Sequence, residues 1–170
     1  GINPQAMTVG EITGSAVAAA TYAQGDQLDL AFDFNLADAM VSSATGKDNS
    51  RVDQVLSFDL KIFKPEQFAT FLTNHDQNRV YNQVGGDLSK SRSAAEMLLT
   101  MPGVPFIYYG EEVGMSGAKP DPQIRTPLNW ANAAQGGFTT GTPWEPLNND
   151  YQSGRDVADE TRDPNSLLSL

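Results

Sequence analysis

A parallel α/β fold is predicted by three features of the sequence. Four short apolar runs have strand character, amphipathic stretches lie between them, and the gaps are long enough for parallel crossovers carrying their own helices. The runs are residues 6–9, 28–34, 68–72 and 104–109. After the first comes an Ala-rich stretch over 15–22, read as a short helix that Gly25 ends. After the second, a helix is expected over 36–43, followed by a polar loop through Gly46, Lys47 and Asp48. The stretch 51–63 carries Val52, Val55, Leu56, Leu60 and Phe63 as a helical apolar stripe, and Pro65 ends it. The stretch 89–101 places Ala94, Met97, Leu98 and Met101 at i, i+3, i+4 and i+7, with Lys90, Arg92 and Glu96 free to face water. Pro102-Gly103 stops it, and Ile107, Tyr108 and Tyr109 give the last run a pleated, buried preference. Residues 110–163 form a tail rich in Gly, Pro, Asn and Thr, with little periodicity. Stretches of that kind are often lids or binding loops, and this one follows the end of a strand, where α/β folds build their sites.

The ends carry an expectation of their own. Asp163 is a candidate N-cap, Pro164 fits a first helical position, and Leu167, Leu168 and Leu170 follow. A helix that starts where the sequence stops, together with Gly1 in place of Met, reads as a fragment.

Length and charge limit the possible roles. The 170 residues suffice for one domain with a sizeable core. Eleven basic against 21 acidic residues give a formal charge of −10, which argues against nucleic acid and anionic lipid as partners. No apolar run approaches the ~20 residues of a membrane helix. The absence of cysteine excludes disulfides and thiolate chemistry and leaves the compartment open. The single histidine excludes a multi-His metal site.

Chemistry is expected just past the strand ends, at Glu11, at Asp33-Phe34-Asn35, at Asn74–Arg79 and at Gly110-Glu111-Glu112. Glu11 follows a strand and a glycine. Burial there would keep it protonated, as a general acid needs; alternatively it is a solvated rim residue. Asn74-His75-Asp76 sets an amide, an imidazole and a carboxylate side by side, and reads equally as a capping turn. Glu111-Glu112 reads as a pair of acidic ligands or as a solvated helix start. Arg125, close to Trp130, suits sugar or carboxylate recognition, or pins a long loop to acidic neighbours. Phe138, Trp144 and Tyr151 add rings that serve either a carbohydrate site or local anchoring.

Phe71-Leu72-Thr73-Asn74-His75-Asp76-Gln77-Asn78-Arg79 resembles the strand-seven motif of the alpha-amylase family, glycoside hydrolase family 13. Gly103-Val104-Pro105-Phe106-Ile107-Tyr108-Tyr109-Gly110-Glu111-Glu112-Val113-Gly114-Met115 resembles that family's eighth strand and the loop after it. Met7-Thr8-Val9-Gly10-Glu11 resembles the fifth strand and Phe32-Asp33-Phe34-Asn35 the sixth. Residues 124–130 and 136–144 resemble the extension after strand eight in bacterial alpha-glucosidases and related amylases, and 163–170 the start of the last barrel helix. The resemblance covers essentially the whole chain. It implies half of a (β/α)8 barrel, strands five to eight with a long loop after the last, so that residues 1–170 form one partial catalytic barrel domain whose N-terminal half is absent.

The resemblance also implies roles. Glu11 would be the general acid/base and Asp76 the transition-state stabiliser, 65 residues apart, about two β/α units. Asn74, His75, Arg79, Arg125 and Phe138 would contact an alpha-linked glucan or oligosaccharide. The nucleophile of the retaining reaction, placed by the family at the end of its fourth strand, has no counterpart before Glu11, so the chain alone is expected to be inactive. No cofactor or metal is expected in this chain; the subdomain that often binds calcium belongs to the absent half. Half a barrel leaves sheet edges uncovered, so pairing with the missing N-terminal half or self-association is expected. The alternatives are a non-catalytic binding or scaffold member, and a glucosyl transferase or isomerase of the same family.

Overall fold

The structure, a computed structural model, describes residue 3 and residues 5–24 and 27–170. The expected helix stop at Gly25 lies outside the described residues. The chain divides into two compact units, Gly1–Phe71 with Leu98–Phe106, and Leu72–Met97 with Ile107–Leu170.

The first unit holds a four-stranded sheet in the order β1-β2-β3-β4: β1 (Val9–Gly10), β2 (Leu30–Phe32), β3 (Phe68–Thr70) and β4 (Val104–Pro105). Every pairing is parallel, with Val9 opposite Leu30, Ala31 opposite Phe68, and Ala69 opposite Val104. The α/β class read from the sequence is therefore observed. The central strands are apolar but for buried Thr70, with Leu30, Ala31, Phe68 and Ala69 buried, as parallel strands covered on both faces require. Three helices connect the first three strands: α1 (Ala16–Ala23), α2 (Phe34–Ala44) and α3 (Ser50–Ile62). Ser15 caps α1 by accepting from the Ala18 amide at 3.2 Å. Asp33 caps α2, its Oδ1 accepting from the Leu36 amide at 3.0 Å. Phe71 meets Phe32 and Phe34 edge-on at 5.2 and 5.0 Å, and Phe106 meets Phe32 at 5.0 Å.

The strands are shorter than predicted, and at β2 a helix cap stands at the end. Asp33 still donates its amide to Ala69 O at 3.0 Å but turns its side chain to cap α2, and Phe34 begins that helix, so 28–34 cannot all be strand. Pro105 has no amide to donate, and the ladder closes with Phe106 N–H donating to Thr70 O at 2.7 Å. The stripe predicted for α3 is also corrected. Val52 and Phe63 are buried, but Leu60 is exposed and Asp59 is buried in its stead. At 100° per residue, position 59 lies about 20° from Val52 around the helix and position 60 about 80°.

The remaining helices are α4 (Val80–Gln83), α5 (Leu88–Thr100), α6 (Asp121–Ile124) and α7 (Val157–Glu160). Along α5, Ala94 and Leu98 are buried as expected, while Met97 is half-buried. The tail is not structureless. It is a series of short helices and 3-10 turns tied by polar side chains. Asp150, buried, accepts from the Ser116 amide at 2.6 Å and hydroxyl at 2.8 Å, and pairs with Arg155. Asp156 caps α7 through the Asp159 amide at 2.9 Å. The helix expected from Asp163 is absent and turns stand there instead. Ser166 Oγ donates to Glu160 O at 2.8 Å and the Leu168 amide donates to Glu160 Oε2 at 3.0 Å, so side chains take up bonds that a helix would need. Among the described residues, no helix is long and apolar enough to cross a membrane.

Candidate active site

The turn that follows β3 is shaped by Asn74. Its side-chain oxygen accepts from the Asp76 amide at 2.9 Å and its carbonyl accepts from the Gln77 amide at 3.2 Å. This Asx-type turn reverses the chain and leaves His75 and Asp76 outside it, with 53 % and 51 % of their side chains exposed. His75 Nε2 lies 3.5 Å from Asp76 Oδ2. The capping reading holds for Asn74, and the side chains of the two residues after it reach the surface.

Arg125 closes the cluster from 49 residues away. Its Nη2 donates to Asp76 Oδ1 at 2.7 Å and to Asp121 Oδ2 at 2.8 Å, and its Nε donates to His75 O at 2.8 Å. The guanidinium fork thus grips side chain and backbone of one turn, which a lysine ammonium could not match. Three further bonds stitch the tail to the end of that turn and to α4 after it. The Gly117 amide donates to Asn82 Oδ1 at 2.6 Å, the Arg79 amide to Gly117 O at 2.9 Å, and the Lys119 amide to Asn78 Oδ1 at 2.7 Å. Asp121 is held below the usual carboxylate range by a hydrogen bond from Lys119 and by the Arg125 charge.

Beneath the turn lies a buried layer. Arg79, expected at the substrate, is fully buried instead. Its guanidinium carbon lies 4.8 Å from the ring centres of both Tyr108 and Tyr109, and Nη1 donates to Tyr109 O at 2.6 Å. The rings and carbonyl offer this cation a site that water would otherwise fill. Gly110 is needed here: φ is +87°, and a Cβ would meet Met115 Sδ at 2.5 Å and Arg79 Nη1 at 3.0 Å. Glu111 is also buried, not a solvated helix-start charge. It accepts a hydrogen bond from Thr73 Oγ1, and its Oε2 accepts from the Tyr108 amide at 3.3 Å. Burial pushes its carboxyl up to about 7, against the lowering effects of Thr73, the Tyr108 amide and Arg79.

Glu11 belongs to the first unit, directly after β1. Gly10 precedes it because a Cβ there would meet Leu28 Cδ1 at 2.3 Å. The expected burial of Glu11 is not found; the side chain is exposed, because β1 is an outer strand with one neighbour among the described residues. Phe138 lies in another part of the tail, 46 % exposed at the end of a 3-10 turn. The described residues contain no group of three or more potential metal ligands.

The structure therefore brings together Asn74, His75, Asp76 and Arg125, and moves Arg79 from the surface to the support. Sequence reasoning missed Asp121, Thr73 and the role of Glu111. Only Asp121 left a trace in the sequence, as an acid four residues before Arg125 and so on the same helical face. In chemical terms, an accessible carboxylate beside an imidazole, locked by a guanidinium, can accept hydrogen bonds from neighbouring hydroxyls and stabilise nearby positive charge.

A family model described as alpha amylase, catalytic domain, matches residues 2–170. Alpha-amylase 3 of Dictyoglomus thermophilum is 37 % identical over 99 % of this chain and 34 % of its own length. Among solved structures, an alpha-amylase from H. orenii superimposes with a TM-score of 0.79 at 36 % identity, over 94 % of this chain and 33 % of that one. An alpha-glucosyl transfer enzyme, XgtA, superimposes with a TM-score of 0.80 at 25 % identity, over 97 % and 34 %. The chain spans about a third of the length of these relatives.

Proposed function

The chain belongs to the alpha-amylase family, and from that premise we propose that it is the strand-five-to-eight part of a (β/α)8 barrel glycosidase acting on alpha-linked glucans or oligosaccharides. The observation that carries this reading is the exposed His75–Asp76 pair locked by Arg125 on the turn after β3. Asp76 holds adjacent hydroxyls of the sugar ring and opposes the positive charge of an oxocarbenium-like transition state. His75 hydrogen-bonds the same ring, and Arg125 fixes both. Glu11 supplies the proton to the glycosidic oxygen and later withdraws one from water. A carboxylate nucleophile about 5–5.5 Å from the acid completes retaining chemistry, and it comes from the part of the enzyme that precedes this segment. No step calls for a cofactor from these residues.

Kinetics on the full-length enzyme that carries this segment test the assignment. With a maltooligosaccharide as substrate, Glu11→Gln lowers kcat about 10²–10⁴-fold. Asp76→Asn lowers it about 10²–10³-fold. Near-native turnover in either variant removes that residue from the mechanism. Likeness to an alpha-glucosyl transfer enzyme favours a second reading, transfer of the glucosyl group to a sugar rather than to water. Product analysis on maltose separates them: glucose alone indicates hydrolysis, trehalose or longer oligomers indicate transfer.

A further inference from the structure

Asp76 is held from two sides with different physics. On the outside, Arg125 grips it in an exposed ion pair, a class of contact worth little in water. At the root, three residues earlier, Thr73 is buried and its hydroxyl donates to the buried carboxylate of Glu111. The same carboxylate accepts the Tyr108 amide. The two tyrosines that follow β4 enclose Arg79, whose own amide donates to Gly117 O. Glu111 is thus the point at which the 73–79 turn and the 107–111 segment are joined.

We propose that Glu111 is a positioning residue for Asp76, acting through Thr73 as a buried latch on the turn that presents the catalytic carboxylate. The idea rests on the function proposed above, and names a regulator of that same site. A hydrogen bond to an ionised acceptor is about twice as strong as a neutral one, and an unmet buried acceptor costs more than a bond contributes. The latch is therefore strongest with Glu111 ionised. When Glu111 takes a proton, Oε2 still accepts from the Tyr108 amide, while Oε1–H must donate to Thr73, whose hydroxyl turns from donor to acceptor. The contact survives but is no longer charge-assisted. The groups facing this switch are the Arg79 guanidinium, the Tyr108 amide, the Thr73 hydroxyl and the neighbouring Glu112 carboxyl. Since burial sets the carboxyl near 7, the exchange falls inside the working pH range of many enzymes.

The test uses the full-length enzyme, with maltotriose kinetics from pH 5 to 9 and hydrogen–deuterium exchange of the peptide covering 73–79. Thr73→Val deletes the hydroxyl at nearly constant volume. It is expected to lower kcat ~10-fold or more, since a displacement of the reacting groups is costly, to leave KM within about twofold, and to speed exchange in the peptide. Thr73→Ser keeps the hydroxyl and restores both readouts. Glu111→Gln mimics the protonated latch at every pH and is expected to abolish the rise of kcat centred near neutrality. The proposal is overturned if Thr73→Val keeps wild-type kcat and exchange, if Ser behaves like Val, or if Glu111→Gln retains the native pH profile. An inactive wild-type enzyme would sink the proposed function instead, and the exchange of Val against Ser would still decide the latch.

Discussion

Asp59 occupies the position on α3 where the helical stripe calls for an apolar side chain, and it faces Asp33, the cap of α2. Asp33 Oδ2 and both Asp59 oxygens are buried with no other hydrogen-bond partner, so a proton carried by Asp59 is the physical resolution. Burial, then the hydrogen bond and charge of Asp33, push Asp59 up to about 8 from an ordinary value near 3.8. The folded chain therefore binds one more proton than the unfolded chain between about pH 4 and 8, so this group's contribution to stability falls as pH rises through that window. Asp59→Asn can donate from Nδ2 to Asp33 at any pH. It is expected to raise stability at pH 8 by about 1–3 kcal/mol and to make little difference at pH 4, read as thermal unfolding of both proteins across the range. A constant difference between them would refute the protonation of Asp59. The residue scale also shows what a sequence can reveal of a site. His75 and Asp76 were legible because an Asn-His-Asp run past a strand combines a turn former with two reactive groups. Glu111 was not, because two adjacent glutamates give no sign of which one the fold will bury. Arg79 read as a surface cation because nothing local shows that Tyr108 and Tyr109, some 30 residues on, will enclose it.

Elements were legible in kind and order but not at their ends. Periodicity located all four strands and the long helices, since apolar spacing records which faces are covered. The ends depend on where ladder gives way to cap, and Asp33 serves both, its amide bonding Ala69 O and its side chain capping α2. The tail defeated periodicity for another reason: its order comes largely from Asp150 binding Ser116 and Asn129 binding Asn148, partners 34 and 19 residues away, which no local pattern encodes. Gly103 shows how tightly one junction is specified. It joins α5 to β4 at φ +118°, and a Cβ would meet Thr70 Cγ2 at 2.6 Å and Phe68 Cε2 at 2.8 Å. Both neighbours belong to the buried β3, so neither can retreat into solvent. Gly103→Ala is expected to cost about 2–4 kcal/mol through strain and overpacking combined, measured as a shift in the denaturation midpoint. Gly46→Ala, at φ +79° with open space around it, carries the backbone strain alone and is expected to cost about 1–2 kcal/mol. Equal costs at the two sites would show that packing at the α5–β4 junction contributes nothing.

For the whole molecule, the decisive question is where the second carboxylate of the proposed retaining reaction resides. The family's order of motifs puts it ahead of the segment that begins with β1, and β1 and β4 are the outer strands of the sheet, each paired on one side among the described residues. Outer strands with free amides and carbonyls are templates for further pairing, and Met7 and Val9, on and beside β1, are exposed. On the function proposed above, further strands of the barrel would pair with this edge and carry the nucleophile. On that reading the polypeptide alone is expected to release no sugar from maltooligosaccharides above the buffer rate, because a site without its nucleophile forgoes several orders of magnitude that binding and acid catalysis cannot restore. It is also expected to self-associate with rising concentration in sedimentation velocity. Co-expression with the preceding segment of the enzyme should suppress that association and restore hydrolysis together, since one set of strands serves both ends. Hydrolysis by these 170 residues alone, lost on Glu11→Gln, would place the nucleophile within this chain and overturn the division of labour proposed for it.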